Sequence, residues 1–275
     1  MSKNIRAQSI GVFDSGFGGL SILRGIVNEM PEYDFTYLGD TARVPYGTRS
    51  PEIVYEFTRQ AVEFLLKKNC GLVILACNTA SSDALRHIQR EYLPKNFPDR
   101  NVLGVLIPAA EKAVAVTANR KIGVLATAGT VRSGAFAREV FKLDPEAEVF
   151  QNACPLLVPL VEAGEEDSLA TEYFLKQYLK PLLARDVDTI ILGCTHYGLL
   201  EPKISDIVGE KVRIVSESRI IGGELRGYLA RHPERERVLG KHGRRTFYST
   251  DCTEQFSILG KRFFGEEIAV EKVDL

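Results

Sequence analysis

The chain has 275 residues, of which 45% are hydrophobic and 26% charged, and this composition is typical of a globular protein with one large domain or two ordinary ones. The formal net charge is −1, and lysine and arginine are spread along the chain, so no basic footprint for nucleic acid is present. No apolar run approaches the ~18 residues that cross a membrane, and the first residues lack the apolar segment of a signal peptide. We therefore expect a cytoplasmic protein without nucleic-acid or membrane partners.

Short β-branched runs alternate with longer amphipathic stretches along the chain. Strands are predicted at 10–14, 35–39, 72–77, 102–107, 121–126, 189–194 and 212–216. Helices are predicted at 18–30, 51–68, 80–92, 131–143, 168–185 and 218–231. This alternation is typical of an α/β fold in which helices flank parallel-rich sheets, and sites in such folds form at the carboxyl ends of the strands.

Two sequence patterns occur twice, in the same order. The segment "IGVFDSG" at 10–16 corresponds to "IGVLATA" at 122–128, and "VILACNT" at 73–79 corresponds to "IILGCTH" at 190–196. One such match between strands would be expected by chance, but two in the same order and with nearly the same spacing indicate a duplication. The sequence therefore predicts two pseudo-symmetric α/β halves.

Each predicted half carries one cysteine at the tip of a strand, Cys77 in the first and Cys194 in the second. The first domain is predicted to comprise 1–103 and 216–275, completed by C-terminal helices and a strand, with the second domain, 104–215, inserted between them. Because sites favour domain interfaces, two related halves that face each other would place the two thiols on opposite sides of one cleft, which is the predicted active site.

The chain has five cysteines and no C-x-x-C motif, which indicates free thiols in a reducing compartment rather than disulfides or a zinc site. No metal is predicted. For Cys70, Cys154 and Cys252 we expect the ordinary role of a small buried side chain. For Cys77 and Cys194, the start of the helix predicted after each thiol is expected to lower its pKa from the usual ~8.5.

Two thiols on opposite faces suit proton transfer at a stereocentre, because one thiolate can remove a proton from one face while the other thiol delivers a proton to the opposite face. Two other classes stay open. Cys194 with His196 as its base would make an acyl-transfer site, which leaves Cys77 without a role, and a binding or regulatory protein would need neither thiol. No cofactor is predicted, since the "GFGG" turn at 16–19 lacks the third glycine of a dinucleotide-binding motif.

Five blocks, in order, resemble the signature of glutamate racemases, the cofactor-independent isomerases that make D-glutamate for peptidoglycan. They are "FDSGFGGL" (13–20), "GDTARVPYGTRS" (39–50), "ACNTAS" (76–81), "VPLVEAG" (158–164) and "GCTHYG" (193–198). The resemblance extends over about residues 10 to 230. The two cysteine blocks alone would indicate only the wider aspartate/glutamate racemase superfamily, so an aspartate racemase, or another member acting on a related carboxylate, is the alternative.

The resemblance implies a role for each residue around the thiols. Cys77 and Cys194 would be the acid/base pair, with Cys77 acting on the D-enantiomer and Cys194 on the L-enantiomer. Asp14 would support proton transfer beside Cys77 and the substrate amine. Glu162 and His196 would support it beside Cys194.

The resemblance also implies a substrate-binding set, and the chain departs from the family pattern near Cys194. The binding residues would be Asp14, Ser15, Tyr46, Gly47, Asn78, Thr79, Thr195 and His196, with Thr127 and Thr130 as further candidates. Glutamate is the implied partner, and a homodimer is left open. The family usually has proline after the tyrosine of the second cysteine block, where this chain has Gly198, so we expect a looser helix start there.

Overall fold

A computed structural model of the protein describes residues 7–252 and 254–275. Within these residues, ten strands form two sheets. The strands are β1 Ser9–Asp14, β2 Phe35–Gly39, β3 Cys70–Leu75, β4 Asn101–Gly104, β5 Lys121–Ala126, β6 Glu148–Ala153, β7 Thr189–Gly193, β8 Arg213–Ser216, β9 Arg245–Ser249 and β10 Val270–Lys272.

Helices follow most of the strands. They are α1 Gly19–Glu29, α2 Pro51–Lys67, α3 Asn78–Asp83, α4 Leu85–His87, α5 Leu93–Asn96, α6 Leu106–Val116, α7 Ala128–Ser133, α8 Ala135–Leu143, α9 Leu157–Glu162, α10 Leu169–Leu183, α11 Glu201–Val208, α12 Glu217–Arg231, α13 Pro233–Glu236 and α14 Glu254–Phe264. Short 3₁₀ helices cover Thr41–Arg43 and Tyr197–Leu200, and a π-helical segment, Ile88–Tyr92, joins α4 to α5. Among the described residues, none of these helices combines the length and the hydropathy needed to span a bilayer.

The strand order repeats between the two sheets. The first sheet has the order β10-β9-β2-β1-β3-β4 and the second the order β6-β5-β7-β8, and every pairing is parallel. The order β2-β1-β3-β4 matches β6-β5-β7-β8 strand for strand, and the two duplicated sequence patterns fall on β1 with β5 and on β3 with β7. The predicted α/β class with parallel sheets is confirmed, and the two halves share one topology.

The sheets draw on separate parts of the chain. The first takes its strands from 9–104 and 245–272, and the second from 121–216. This membership agrees with an inserted second domain, and the exact boundaries stay a prediction. Helix α12 packs extensively against α1, so the chain returns from the second sheet to the first half through this helix pair.

Most predicted elements are present, with errors at their ends. The strands predicted at 35–39 and 121–126 have the observed bounds, and the others differ by one to three residues at one or both ends. The strand predicted at 102–107 is wrong in its last residues, where α6 begins at Leu106. A short apolar run fits a strand and a buried helix equally well, and this ambiguity caused the error.

Two predicted helices are interrupted. The helix predicted at 131–143 is divided into α7 and α8 because Gly134 has a left-handed backbone, with φ of 62°, which ends a right-handed helix. The helix predicted at 80–92 begins earlier, at Asn78, and its path is broken at Ala84 and by the π-helical segment. Strands β6, β9 and β10 were not placed by the sequence; β6 is an edge strand whose half-exposed residues lack the apolar signal of a buried strand.

Candidate active site

The two predicted thiols lie at equivalent places in the two halves. Cys77 follows the end of β3 and is the N-cap residue of α3. Cys194 directly follows β7, and a turn and a 3₁₀ helix come after it rather than an α-helix. The side chains next to the thiols make contacts from one half to the other, so the carboxyl ends of the two sheets face each other across a closed cleft. Cys77 and Cys194 are 6% and 8% exposed.

The Cys77 thiol lies among groups that can hydrogen-bond to sulfur. Its Sγ is 3.3 Å from the hydroxyl of Ser15, in the loop after β1. It also accepts a hydrogen bond of 3.5 Å from the backbone N–H of Ala80, in the first turn of α3. The predicted proximity of Ser15 to Cys77 is therefore present in the structure.

A histidine and a carboxylate extend from the Cys194 thiol. Its Sγ is 3.9 Å from Nδ1 of His196, and Nε2 of the same ring is 2.9 Å from a carboxylate oxygen of Glu162, at the end of α9. The Phe263 ring packs nearly perpendicular to the imidazole, with the ring centres 5.2 Å apart. Thiol, imidazole and carboxylate thus form one chain, in which the carboxylate can stabilise an imidazolium when the thiol loses its proton.

The prediction that helix starts lower the thiol pKa values is wrong. Burial, together with the charge of nearby Asp14, raises the pKa of Cys77 to about 11, although hydrogen bonds from Ser15 and Ala80 act in the opposite direction. Burial likewise raises the pKa of Cys194 well above its usual value. Desolvation of a buried anion outweighs a few hydrogen-bond donors at this depth.

Asp14 forms a contact between the two halves near the thiols. The backbone N–H of Gly16 donates to Oδ2 of Asp14 at 2.9 Å, and the hydroxyl of Thr195 lies 3.4 Å from Oδ1. Burial raises the pKa of Asp14, and the charge of His196 acts against this shift. Gly19 is required here, because a Cβ at this position would lie 2.3 Å from the Asp14 Cβ.

Three threonine hydroxyls meet at another contact between the two halves. Thr79 of the first half is 3.0 Å from Thr127 of the second and 3.5 Å from Thr130. Gly47 packs onto the same place, since a Cβ there would lie 2.9 Å from the Thr127 Cβ. The structure therefore brings Thr127 and Thr130 together with Thr79 and Gly47.

Tyr46 does not direct its hydroxyl toward the thiols. The hydroxyl donates to the carboxylate of Asp40, the side chain is 2% exposed, and burial with the Asp40 charge raises its pKa. The tyrosine therefore anchors the loop that carries Gly47, and its hydroxyl is already paired within the first half.

Asn78 has a partner that the sequence analysis missed. Its Nδ2 donates to Oε2 of Glu217 at 2.7 Å, and both side chains are about 2% exposed. Glu217 is the first residue of α12, immediately after β8. An acid directly after a predicted strand was a visible signal, but nothing in the sequence indicated that α12 turns this side chain toward the first half.

The remaining cysteines do not form part of this cluster. Cys70 and Cys154 are buried, as expected, and all five thiols are free. The expectation of a buried side chain is wrong for Cys252, which is exposed. No group of three or more His, Cys, Asp or Glu side chains suited to holding a metal ion occurs in the described parts of the chain.

Paired strand-end cysteines in two duplicated α/β halves indicate the aspartate/glutamate racemase class of proteins, and comparison with known families agrees. A family model described as Asp/Glu/Hydantoin racemase matches residues 10–220. The chain belongs to this Asp/Glu/hydantoin racemase family.

Individual relatives within the family are glutamate racemases. The chain is 40% identical to the glutamate racemase of Geobacter metallireducens, with 95% of this chain and 94% of that protein covered. The crystal structure of a glutamate racemase isoform from Bacillus anthracis superposes with a TM-score of 0.88 at 37% identity, covering 98% of each chain. The enzyme from Francisella tularensis, solved in complex with D-glutamate, has a TM-score of 0.87 at 31% identity, also covering 98% of each chain.

Proposed function

We propose that the protein is an isomerase that interconverts L-glutamate and D-glutamate by proton transfer between two thiols, and that it supplies D-glutamate for peptidoglycan. The observation that carries the proposal is the pair of buried cysteines at equivalent strand ends of two facing halves. The membership of the chain in a racemase family supports it.

On the Cys194 side, deprotonation is coupled to the imidazole. His196 takes the thiol proton at Nδ1, and the carboxylate of Glu162 stabilises the resulting positive charge through Nε2. The thiolate then removes the α-proton of L-glutamate. A buried thiolate alone is costly, but the neighbouring imidazolium and the substrate ammonium both offset its charge.

On the Cys77 side, the neutral thiol delivers its proton to the opposite face of the α-carbon. This step forms D-glutamate and leaves Cys77 as the thiolate, which Ser15 and the N–H of Ala80 stabilise. Asp14 lies beside this thiol and receives the substrate ammonium. The two thiols exchange protonation states in each turnover, so the mechanism is reversible and needs no cofactor.

The substrate carboxylates are bound by groups around the two thiols. The amide of Asn78, the hydroxyls of Thr79 and Thr195 and the backbone of Gly47 form this set in the proposal, with Thr127 and Thr130 beside it. His196 and Ser15 complete it from the two sides, and Tyr46 contributes by holding its loop. Donors fixed in a dry site bind carboxylates more strongly than donors exposed to water.

The setting of the reaction follows from the same proposal. The domains comprise 1–103 with 216–275 and 104–215, and substrate binds in the cleft between them. Five free thiols are consistent with a reducing compartment, which supports a cytoplasmic location. The proposed site is built from one chain, so the reaction requires no partner subunit. A homodimer is compatible with this arrangement.

The alternatives are less well supported. An aspartate racemase would share both thiols, but the relatives described above are glutamate racemases. An acyl-transfer enzyme built on Cys194 and His196 would leave Cys77, Ser15 and Asp14 without a role. A binding protein would have no use for a thiol–imidazole–carboxylate chain.

Circular dichroism of the purified protein with L-glutamate and no added cofactor tests the proposal. The signal should decay to zero as the mixture becomes racemic, and L-aspartate should keep its signal. A stable signal with L-glutamate, or decay with L-aspartate alone, would contradict the proposed function.

A further inference from the structure

Glu217 is a buried carboxyl group that the two-thiol mechanism does not use. It begins the fifteen-residue helix α12 and is 2% exposed. A small cavity beside it is also bordered by Cys194, Thr195 and Gly198. A buried acid so close to a reacting thiol requires a physical explanation.

The contacts of Glu217 are incomplete when it is ionised. Its Oε2 accepts the 2.7 Å hydrogen bond from Nδ2 of Asn78. Its Oε1 and the Oδ1 of Asn78 are both buried and have no hydrogen-bond partner among the described residues. Two buried acceptors without a donor would be destabilising. A proton on Oε1 would convert this oxygen into a donor to Oδ1 of Asn78, and both atoms would then be paired.

We propose that Glu217 is a positioning residue that, as a neutral carboxylic acid, forms a two-hydrogen-bond pair with the amide of Asn78 and so fixes this amide for the substrate. In this pair the Asn78 N–H donates to Oε2 and the Glu217 O–H donates to Oδ1. The second N–H of Asn78 stays free to donate to a substrate carboxylate. The inference rests on the proposed function, because it assigns Glu217 to the glutamate site.

The charges around Glu217 favour the neutral acid. Burial, with a smaller contribution from the charge of Asp14 at the end of β1, raises its pKa to about 8, although the hydrogen bond from Asn78 acts against the shift. The described residues that line the adjoining cavity are, besides those named above, Ile22 of α1, Leu192 of β7, and Ser216 and Ser218. None of them is basic, and Cys194 is the other titratable group. The nearest arginine along α12, Arg219, pairs instead with Glu201.

An ionised Glu217 would also oppose the substrate. Glutamate brings two carboxylates into a site that already contains Asp14, and another buried anion would repel them. The neutral pair avoids this repulsion and locks the orientation of the amide, whose two ends would otherwise be free to exchange. Because Asn78 directly follows Cys77 in the chain, a fixed amide also fixes the substrate relative to the Cys77 thiol.

Steady-state kinetics of three variants test the role. Glu217→Gln has the same shape and offers one acceptor and one donor to Asn78, so KM for glutamate should stay within about twofold of the original. Glu217→Ala removes both hydrogen bonds and should raise KM about tenfold with a smaller change in kcat, which corresponds to the loss of about 1.4 kcal/mol of binding. Ser218→Ala, which changes another residue lining the same cavity, is the matched control and should leave KM unchanged.

The pH dependence separates a neutral acid from a simple space-filling side chain. As the pH rises through about 8, Glu217 loses its proton in the native protein, so the KM of the native protein for glutamate should rise. The glutamine of the Glu217→Gln variant cannot ionise, so this cause of a higher KM is absent from the variant. The ratio of the native KM to the Glu217→Gln KM should therefore be near one below pH 7 and reach about tenfold above pH 9. Ionisation of the substrate amine affects both proteins and cancels in this ratio.

Several outcomes would overturn the inference while the proposed function stands. A Glu217→Ala variant that racemises glutamate with the native KM would show that the pair does not position Asn78. A KM ratio that is already about tenfold at pH 6 and stays constant to pH 10 would show that Glu217 holds no proton there. A fall in kcat with unchanged KM would assign Glu217 to proton transfer at Cys194 instead. Absence of racemisation by the native protein would refute the proposed function itself.

Discussion

At the scale of single residues, the two thiols occupy matching positions but have different neighbours. In the duplicated pattern Asp14 corresponds to Ala126, and Thr79 corresponds to His196. The duplication therefore supplied the two thiols, and divergence supplied different helpers, a carboxyl group beside Cys77 and an imidazole beside Cys194. Different helpers are expected, because a chiral substrate presents different groups to its two sides.

Replacing either thiol should remove the reaction. Cys77→Ala and Cys194→Ala should each lower kcat by about 10²–10⁴-fold, the usual effect of losing a positioned acid or base. Cys154→Ala is the matched control: its thiol is also buried but lies outside the site, so activity should stay close to native, with some stability lost. Rates come from the decay of the circular dichroism signal. Near-native turnover in either site variant, or a specific loss in a folded Cys154→Ala protein, would show that the wrong thiols are assigned.

The different groups beside the two thiols predict different isotope effects for the two enantiomers, which rate constants alone cannot show. Enantiomers have equal free energies in water, so the equilibrium constant is one and kcat/KM must fall equally in both directions for any variant. For His196→Asn we expect a loss of about 10²-fold. Proton removal by Cys194 should become rate-limiting, so the isotope effect with α-deuterated L-glutamate should rise while that with α-deuterated D-glutamate falls.

Ser15→Ala is the mirror control for this experiment, because Ser15 contacts Cys77 rather than Cys194. Its larger isotope effect should appear with α-deuterated D-glutamate. Equal isotope effects for both enantiomers in both variants would contradict the assignment of His196 and Ser15 to opposite sides.

At the scale of elements, the strands that carry the site were the most predictable part. β1, β3, β5 and β7 are central strands, buried on both faces, and their continuous apolar runs are the strongest local signal of a parallel sheet. The residues at their carboxyl ends, including Asp14, Cys77 and Cys194, were consequently placed in one cleft. The matching sequences of these strands, in the same order and with nearly the same spacing, were enough to recognise the duplication.

The elements that sequence reasoning missed lack such a signal. β6, β9 and β10 lie toward one edge of their sheets, where strands need less apolar surface. Glu217 was missed for another reason: its position depends on how α12 crosses α1, which no local pattern encodes. The thiol pKa values were wrong because burial depth depends on the closure of the two halves, which the sequence does not reveal.

The crossing of α1 and α12 is itself testable, because glycines allow the two helices to approach closely. A Cβ on Gly25 would lie 2.0 Å from the backbone oxygen of Ser218, so Gly25→Ala must push α12 away and should lower the free energy of unfolding by about 1–3 kcal/mol. Gly223 lies in α12, and a Cβ added to it would have no other atom within 4 Å. Gly223→Ala should raise the free energy of unfolding by about 0.5–1 kcal/mol.

Urea unfolding of both variants measures this difference. Because the displaced helix carries Glu217 at its start, Gly25→Ala should also raise KM for glutamate, and Gly223→Ala should not. A Gly25→Ala protein as stable as the Gly223→Ala protein would show that the helices do not cross as described.

At the scale of the whole molecule, two related halves close on each other and bury the chemistry. The hydroxyl contact from Thr79 to Thr127 and the contact from Thr195 to Asp14 both join the halves, and neither thiol is more than 8% exposed. Substrate entry therefore requires these contacts to open. Once the site closes, water is excluded, and a proton taken from the substrate can leave only through the thiol that took it.

This isolation of the two faces makes hydrogen exchange the most direct test of the two-thiol account. In D₂O with L-glutamate as the substrate, Cys194 removes the substrate proton and can return only that proton, whereas Cys77, equilibrated with solvent, delivers deuterium to the other face. Mass spectrometry of the separated enantiomers at a few per cent conversion should therefore find deuterium in D-glutamate and almost none in the remaining L-glutamate. Unlabelled D-glutamate, or label in L-glutamate as early as in D-glutamate, would contradict the account, because a single group would then serve both faces.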